Sequence, residues 1–62
     1  MQKHDVINDC YVDIHNRKPT EVEIKAIEEA MPFAINILAF QWGWYDTEVR
    51  DRIYRFIKEE FK

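Results

Sequence analysis

The chain has 62 residues, 47% of them apolar and 15% aromatic, with a formal net charge of −3. That composition is far from the disordered class, and the negative charge argues against general nucleic-acid binding, which needs a basic surface. A single domain of this size buries only about 60% of its unfolded surface, and the lone cysteine, Cys10, rules out an intrachain disulfide, so dense apolar packing or self-association is expected to supply the missing stability.

The first expected element is an amphipathic helix over about 3–16. Val6, Ile7, Cys10, Tyr11 and Ile14 recur at spacings of three and four, which is one helical face. Asp5, Asp9 and Asp13 stand four apart on the opposite face and stack as a line of carboxylates. Asn16-Arg17-Lys18-Pro19 ends the helix, because basic residues suit a helix C-terminus and proline cannot continue it.

A second helix is expected over about 20–31. Thr20-Glu21-Val22-Glu23 has the capping-box pattern, in which the Thr hydroxyl and the Glu carboxylate each satisfy a free backbone N–H. Its apolar side reads as Val22, Ala26, Ile27, Ala30 and Met31. Pro32 then removes a donor and crowds the preceding turn. Two outcomes are open: a kinked helix through 21–43, or a break with Pro32 as the first residue of a new helix. The break or sharp kink is favoured.

Residues 30–45 carry no charge, and twelve of these sixteen are apolar or aromatic. A third helix is expected over about 32–43. Phe33, Ile37, Phe40 and Trp44 form one stripe, while Ile35, Leu38, Ala39 and Trp42 occupy the other sides. A helix apolar on every side must be covered on every side or meet a partner. The segment reads as the centre of the fold. Gly43 is expected to end it in left-handed angles. The last helix, about 47–61, is capped by Asp46 or Thr47 and buries Val49, Ile53, Phe56, Ile57 and Phe61, with Tyr54 at the margin. Glu48 with Arg52, Asp51 with Arg55 and Arg55 with Glu59 are each four apart on its outer side.

The expected architecture is therefore all-α, a compact bundle of three to four short helices in one domain spanning 1–62. No internal repeat or linker divides it. The charge-free run falls short of the roughly 20 residues of a membrane span and contains Pro32, Asn36, Gln41 and Gly43. With a polar start, Met-Gln-Lys-His-Asp, and one unpaired cysteine, a cytoplasmic location and no membrane association are expected.

Chemistry-bearing patterns are sparse. His4 and His15 lie eleven residues apart, about 16 Å along a helix, and cannot share an ion. No Cys or His pair has zinc-ligand spacing. Cys10 and His15 diverge by about 140° around one helix. There is no phosphate-binding glycine loop and no nucleophile elbow. No catalytic residue, cofactor or metal is expected, and Cys10 reads as a small buried hydrophobe.

Three surfaces remain as candidates for binding. The acidic line Asp5, Asp9 and Asp13 lies in the half of the chain that carries all of the net negative charge; it is either ordinary solubilising charge or a face for a basic partner. Arg50, Arg52, Arg55 and Lys58 on the last helix give an alternative nucleic-acid face, although Glu48, Asp51, Glu59 and Glu60 interleave with them. Phe33, Ile37, Phe40, Trp42, Trp44 and Tyr45 form the third, either sealing the bundle or meeting a partner, since Trp and Tyr dominate binding hot spots.

In composition alone, the short acidic aromatic-rich chain resembles small accessory proteins of phages and mobile elements. The expected function is a non-enzymatic interaction protein of inhibitor or adaptor type. It self-associates, as a dimer through residues 33–45, and binds another macromolecule. The alternative is a small helix-turn-helix-like DNA- or RNA-binding regulator that uses the last helix.

Overall fold

Backbone capping divides the chain where the sequence suggests. A computed structural model describes residues 3–62 and contains four helices: α1 (Lys3–His15), α2 (Glu21–Ala30), α3 (Phe33–Trp42) and α4 (Thr47–Glu60). Met1 and Gln2, at the polar start noted above, lie outside the described residues. Among the described residues there are no strands, so the all-α reading holds.

Each boundary has a local cause. Asn16 closes α1 with φ 58°, and its N–H donates to the Val12 carbonyl at 2.8 Å. Asparagine is the residue after glycine that best accepts this left-handed position. Thr20 caps α2 with both halves of the capping box: the Glu23 N–H donates to Thr20 Oγ1 at 3.1 Å, and the Thr20 N–H donates to Glu23 Oε1 at 2.8 Å.

Between α2 and α3 the helix breaks outright. Met31 and Pro32 have ψ of 132° and 137°, so both are extended, and Pro32 is the cap of α3 rather than its first residue. Gly43 ends α3 with φ 91° and ψ 154°, outside the left-handed helical region expected for it, in a region nearly exclusive to glycine. Asp46 caps α4, its carboxylate accepting from the Glu48 and Val49 N–H groups.

The core is built by the first and last helices. Val6, Ile7, Cys10 and Tyr11 of α1 and Val49, Ile53 and Ile57 of α4 are all buried, as the period of each helix predicts. Three cross-links run in step along the two helices: Lys3 Nζ sits 5.7 Å from the Trp44 ring, Cys10 Sγ lies 3.8 Å from the Arg50 carbonyl oxygen, and His15 Nε2 donates to the Phe61 carbonyl at 2.8 Å. Helices α1 and α4 therefore point the same way, with α2 packed on α1 and α3 packed on α4.

Two expectations are corrected here. The segment 33–45 is not the centre of the fold. Helix α3 buries only Ile35 and Ala39, with Leu38 partly covered, because the faces of α1 and α4 cover each other and leave one narrow side for it. The apolar side of α2 is shifted rather than replaced: Ile27 and Met31, expected on it, are buried, and Ile24 joins them. Ile24, Ile27 and Met31 turn inward, while Val22 (78% exposed), Ala26 and Ala30 face out. Both sets have helical spacing, and the larger isoleucine and methionine side chains win the inward position because they bury more apolar surface.

A polar clasp fixes the α1–α2 corner. The Tyr11 hydroxyl donates to Glu23 Oε2 at 2.8 Å, and Arg17 spans both partners, with Nη1 3.1 Å from Glu23 Oε1 and Nη2 3.0 Å from Oε2 and 2.6 Å from the Tyr11 oxygen. Arg17 thus serves this clasp rather than the end of α1. Its hydrogen bonds, with those from Thr20 and Tyr11, hold the Glu23 carboxyl well below its ordinary value near 4.5. Burial, with the bond to Glu23, pushes the Tyr11 phenol up.

Two outcomes follow for stability. Ile53 is fully buried, so Ile53→Ala should cost about 2–5 kcal/mol in denaturant unfolding. That is a large share of the roughly 3–9 kcal/mol available to a domain of this size. Because the Glu23 carboxyl is lowered in the fold, its contribution is complete above about pH 4.5 and is lost as the pH falls further. Glu23→Gln, which keeps the cap geometry, should lower the melting temperature at neutral pH and flatten its decline in acid. Parallel acid melts of the two proteins would refute the clasp.

Candidate functional site

Helix α3 carries no charged residue, and the packing described above leaves most of it uncovered. Phe33 is 75% exposed, Ile37 46% and Phe40 93%. At 100° per residue these three lie within an arc of about 60° and span about 10 Å along the axis. Ile35 and Ala39 leave from the opposite side, into the core. The result is a continuous apolar stripe edged by the exposed Ala34 and Gln41 and the half-buried Asn36.

The aromatic cluster after α3 divides. Trp44 is half-buried, packs against the core and receives Lys3 on its face, so it seals the bundle beside the start of α1. Trp42 and Tyr45 are 61% and 71% exposed. Trp42 follows Phe40 by two residues, about 200° around the helix, so its ring leaves from another side than the stripe. Of the six residues read as one surface, Phe33, Ile37 and Phe40 share a face, Trp42 and Tyr45 project at its end, and Trp44 belongs to the interior.

The acidic line is partly occupied. Asp13 Oδ2 accepts from Arg50 Nη2 at 2.8 Å, tying α1 to α4, and Asp5 Oδ1 lies 3.2 Å from His4 Nε2. Asp9 is exposed between them. The arrangement is a mixed surface rather than a bare row of carboxylates.

Ion pairing also marks the basic residues of α4. Arg50 is held by Asp13, Arg52 Nε lies 3.0 Å from Glu48, and Arg55 Nε lies 3.1 Å from Asp51. The last two are the i, i+4 pairs expected from the sequence; Arg55 takes Asp51 rather than Glu59. Lys58 is exposed on the same helix. These arginine side chains remain 44–74% exposed, so the three contacts are weak, solvent-screened surface pairs.

Cys10 is fully buried, and desolvation pushes its thiol up to about 11 against the opposing effect of Arg50. A thiol so placed is not a nucleophile near neutral pH. The His15 ring lies 4.2 Å from that of Tyr11, centroid to centroid, and its Nε2 is bonded to the Phe61 carbonyl. Among the described residues no group of His, Cys, Asp or Glu is arranged to hold a metal ion, and no helix is long and apolar enough to cross a membrane. The hollows are open, such as one of about 580 Å³ between α3 and α4, floored by Ile35 and Phe56 and rimmed by Glu48, Asp51, Arg52 and Arg55.

The sequence did not signal the interhelical Arg50–Asp13 pair or the Arg17–Tyr11–Glu23 clasp, which join residues whose proximity only the fold creates. No protein-family profile matches the chain, and neither a curated protein nor a solved structure shows significant similarity to it.

Proposed function

We propose that the chain is a non-enzymatic interaction protein that self-associates through the outer face of α3 and acts by binding a further macromolecule, as an inhibitor or adaptor, in the cytoplasm. One observation carries this reading. Phe33, Ile37 and Phe40 stand exposed on one side of a helix without charge, on a chain whose remaining surface is densely charged. Contiguous apolar patches of this kind mark interaction sites on small soluble domains. The free thiol of Cys10, buried and unreactive, fits a reducing compartment.

The dimer follows from the size of the fold. A 62-residue domain has a marginal core, and burying an exposed phenylalanine is worth about 1.5–3 kcal/mol. Covering two such rings on each copy offsets the entropy that association costs and leaves a surplus for the dimer. The alternative, a nucleic-acid regulator using α4, has less support, because Arg50, Arg52 and Arg55 are each engaged by a carboxylate.

Size exclusion with light scattering should give a mass that rises with concentration from 7.6 kDa towards twice that value. Phe40→Asp, at a position 93% exposed, should remain a monomer and melt at the temperature of dilute wild type, below that of the wild-type dimer. A wild-type chain that stays monomeric at all concentrations would overturn the self-association. A gel-shift series decides the alternative. No binding to duplex DNA is expected at low salt; a salt-sensitive shift abolished by Arg52→Glu/Arg55→Glu would move the assignment to α4.

A further inference from the structure

We infer that the groove between α3 and α4 is a docking surface for a basic amphipathic helix of a partner protein. This rests on the reading above that the chain binds a further macromolecule, and it names the surface and the chemistry of that partner.

Shape selects a polypeptide segment. The hollow of about 580 Å³ has the volume of a small-molecule site but is open to solvent, so a compact ligand in it would stay largely wet. Its α4 wall runs from Glu48 to Glu60 at spacings of three and four, one face of that helix about 18 Å long. A groove of that length between two helices matches about three turns of a third helix.

The two walls differ in chemistry. Pro32, Ala34 and Ile35 form an uncharged wall on the α3 side, and Phe56 completes an apolar floor. The Phe56 ring meets that of Phe61 edge-on, with centroids 5.6 Å apart, so the floor is ordered before a partner arrives. The α4 wall carries four carboxylates against two guanidiniums. Arg52 pairs with Glu48 and Arg55 with Asp51. The surplus therefore falls on Glu59 and Glu60, which are exposed and make no ion pair among the described residues. A helix that fits both walls turns apolar side chains towards Ile35 and Phe56, and lysine or arginine towards Glu59 and Glu60. Exposed opposite charges add little affinity but speed encounter and select the partner, so the apolar floor supplies the hold.

A second copy of this chain offers no such helix. Its α3 has no cation, and the apolar faces of α1 and α4 are buried in its own core. Its α2 carries four glutamates against one lysine. The partner is therefore a different protein.

Fluorescence anisotropy with the full chain and three labelled peptides of about 16 residues, long enough to fill the groove, tests this. The first is a helix with leucines on one side and lysines on the other. The second has glutamates in place of the lysines, and the third has alanines in place of the leucines. The leucine–lysine peptide should bind with a Kd of about 100 µM or tighter, more weakly as salt is raised, and the other two at least about tenfold more weakly. Glu59→Lys/Glu60→Lys should weaken its binding about tenfold, as should Ala34→Gln, which sets an amide on the apolar wall without changing charge. Asp9→Lys/Glu21→Lys makes the same change of net charge at exposed positions on α1 and α2. That variant and Phe40→Asp should keep the affinity within about twofold. No binding of the leucine–lysine peptide, or equal binding of the alanine–lysine one, would overturn the inference. Binding lost in Phe40→Asp but kept in Glu59→Lys/Glu60→Lys would put the peptide on the outer stripe of α3; the groove would fall while the binding role stood. A lowered melting temperature of Glu59→Lys/Glu60→Lys with unchanged affinity would show that these carboxylates serve the start of α3, and would also overturn it. Self-association is read separately, from the mass by light scattering.

Discussion

The packing of α1 on α4 is the constraint from which the rest of the structure follows. These are the first and last helices, and they bring Cys10 and Arg50, forty residues apart in sequence, into contact. Each contributes an aliphatic face with helical period: Val6, Ile7 and Cys10 on one side, Val49, Ile53 and Ile57 on the other. The buried residues so brought together include no charged side chain among the described residues. No buried side-chain polar atom among the described residues lacks a partner, and the polar links between the two helices, Asp13 with Arg50 and His15 with the Phe61 carbonyl, lie towards its margins. Because the two faces satisfy each other, α2 and α3 are left to cover the flanks.

That division explains why the most apolar helix is the least buried. Helix α3 needs only Ile35, Ala39 and part of Leu38 to close its flank of the core. The break at Met31 and Pro32 frees it from the direction of α2, so it can lie along α4 with that one side inward. The clasp of Tyr11, Arg17 and Glu23 acts at the other end of α2 and anchors it to α1.

Local features were legible in the sequence because their causes are local. The capping box at Thr20, the carboxylate cap at Asp46 and the break at Pro32 need only residues within one turn. The faces of α1 and α4 were legible because each has one apolar side. Helix α2 offered two, Val22–Ala26–Ala30 and Ile24–Ile27–Met31, and periodicity cannot rank them; only the shape of the space beside α1 does. In α3 the same ambiguity is complete, since nearly every side is apolar. Reading the segment as the core followed from hydrophobicity alone, and the structure shows that the space was already filled by Ile7, Ile53 and Ile57.

The exposed stripe and the charged surface are thus two consequences of one partition. In α1 and α4 the charges occupy the sides turned from the core, where Arg52 and Arg55 pair within their own helix and Arg50 reaches Asp13 on the neighbouring one. These paired groups are exposed to water, where each pair is worth little. The stripe of Phe33, Ile37 and Phe40 has the opposite balance. Its rings make few contacts in the single chain, it carries no charge to desolvate, and its backbone is already hydrogen-bonded within the helix. Covering it would leave the α1–α4 core as it stands, so a partner would meet a face already ordered, and such preorganisation reduces the entropy that binding otherwise costs.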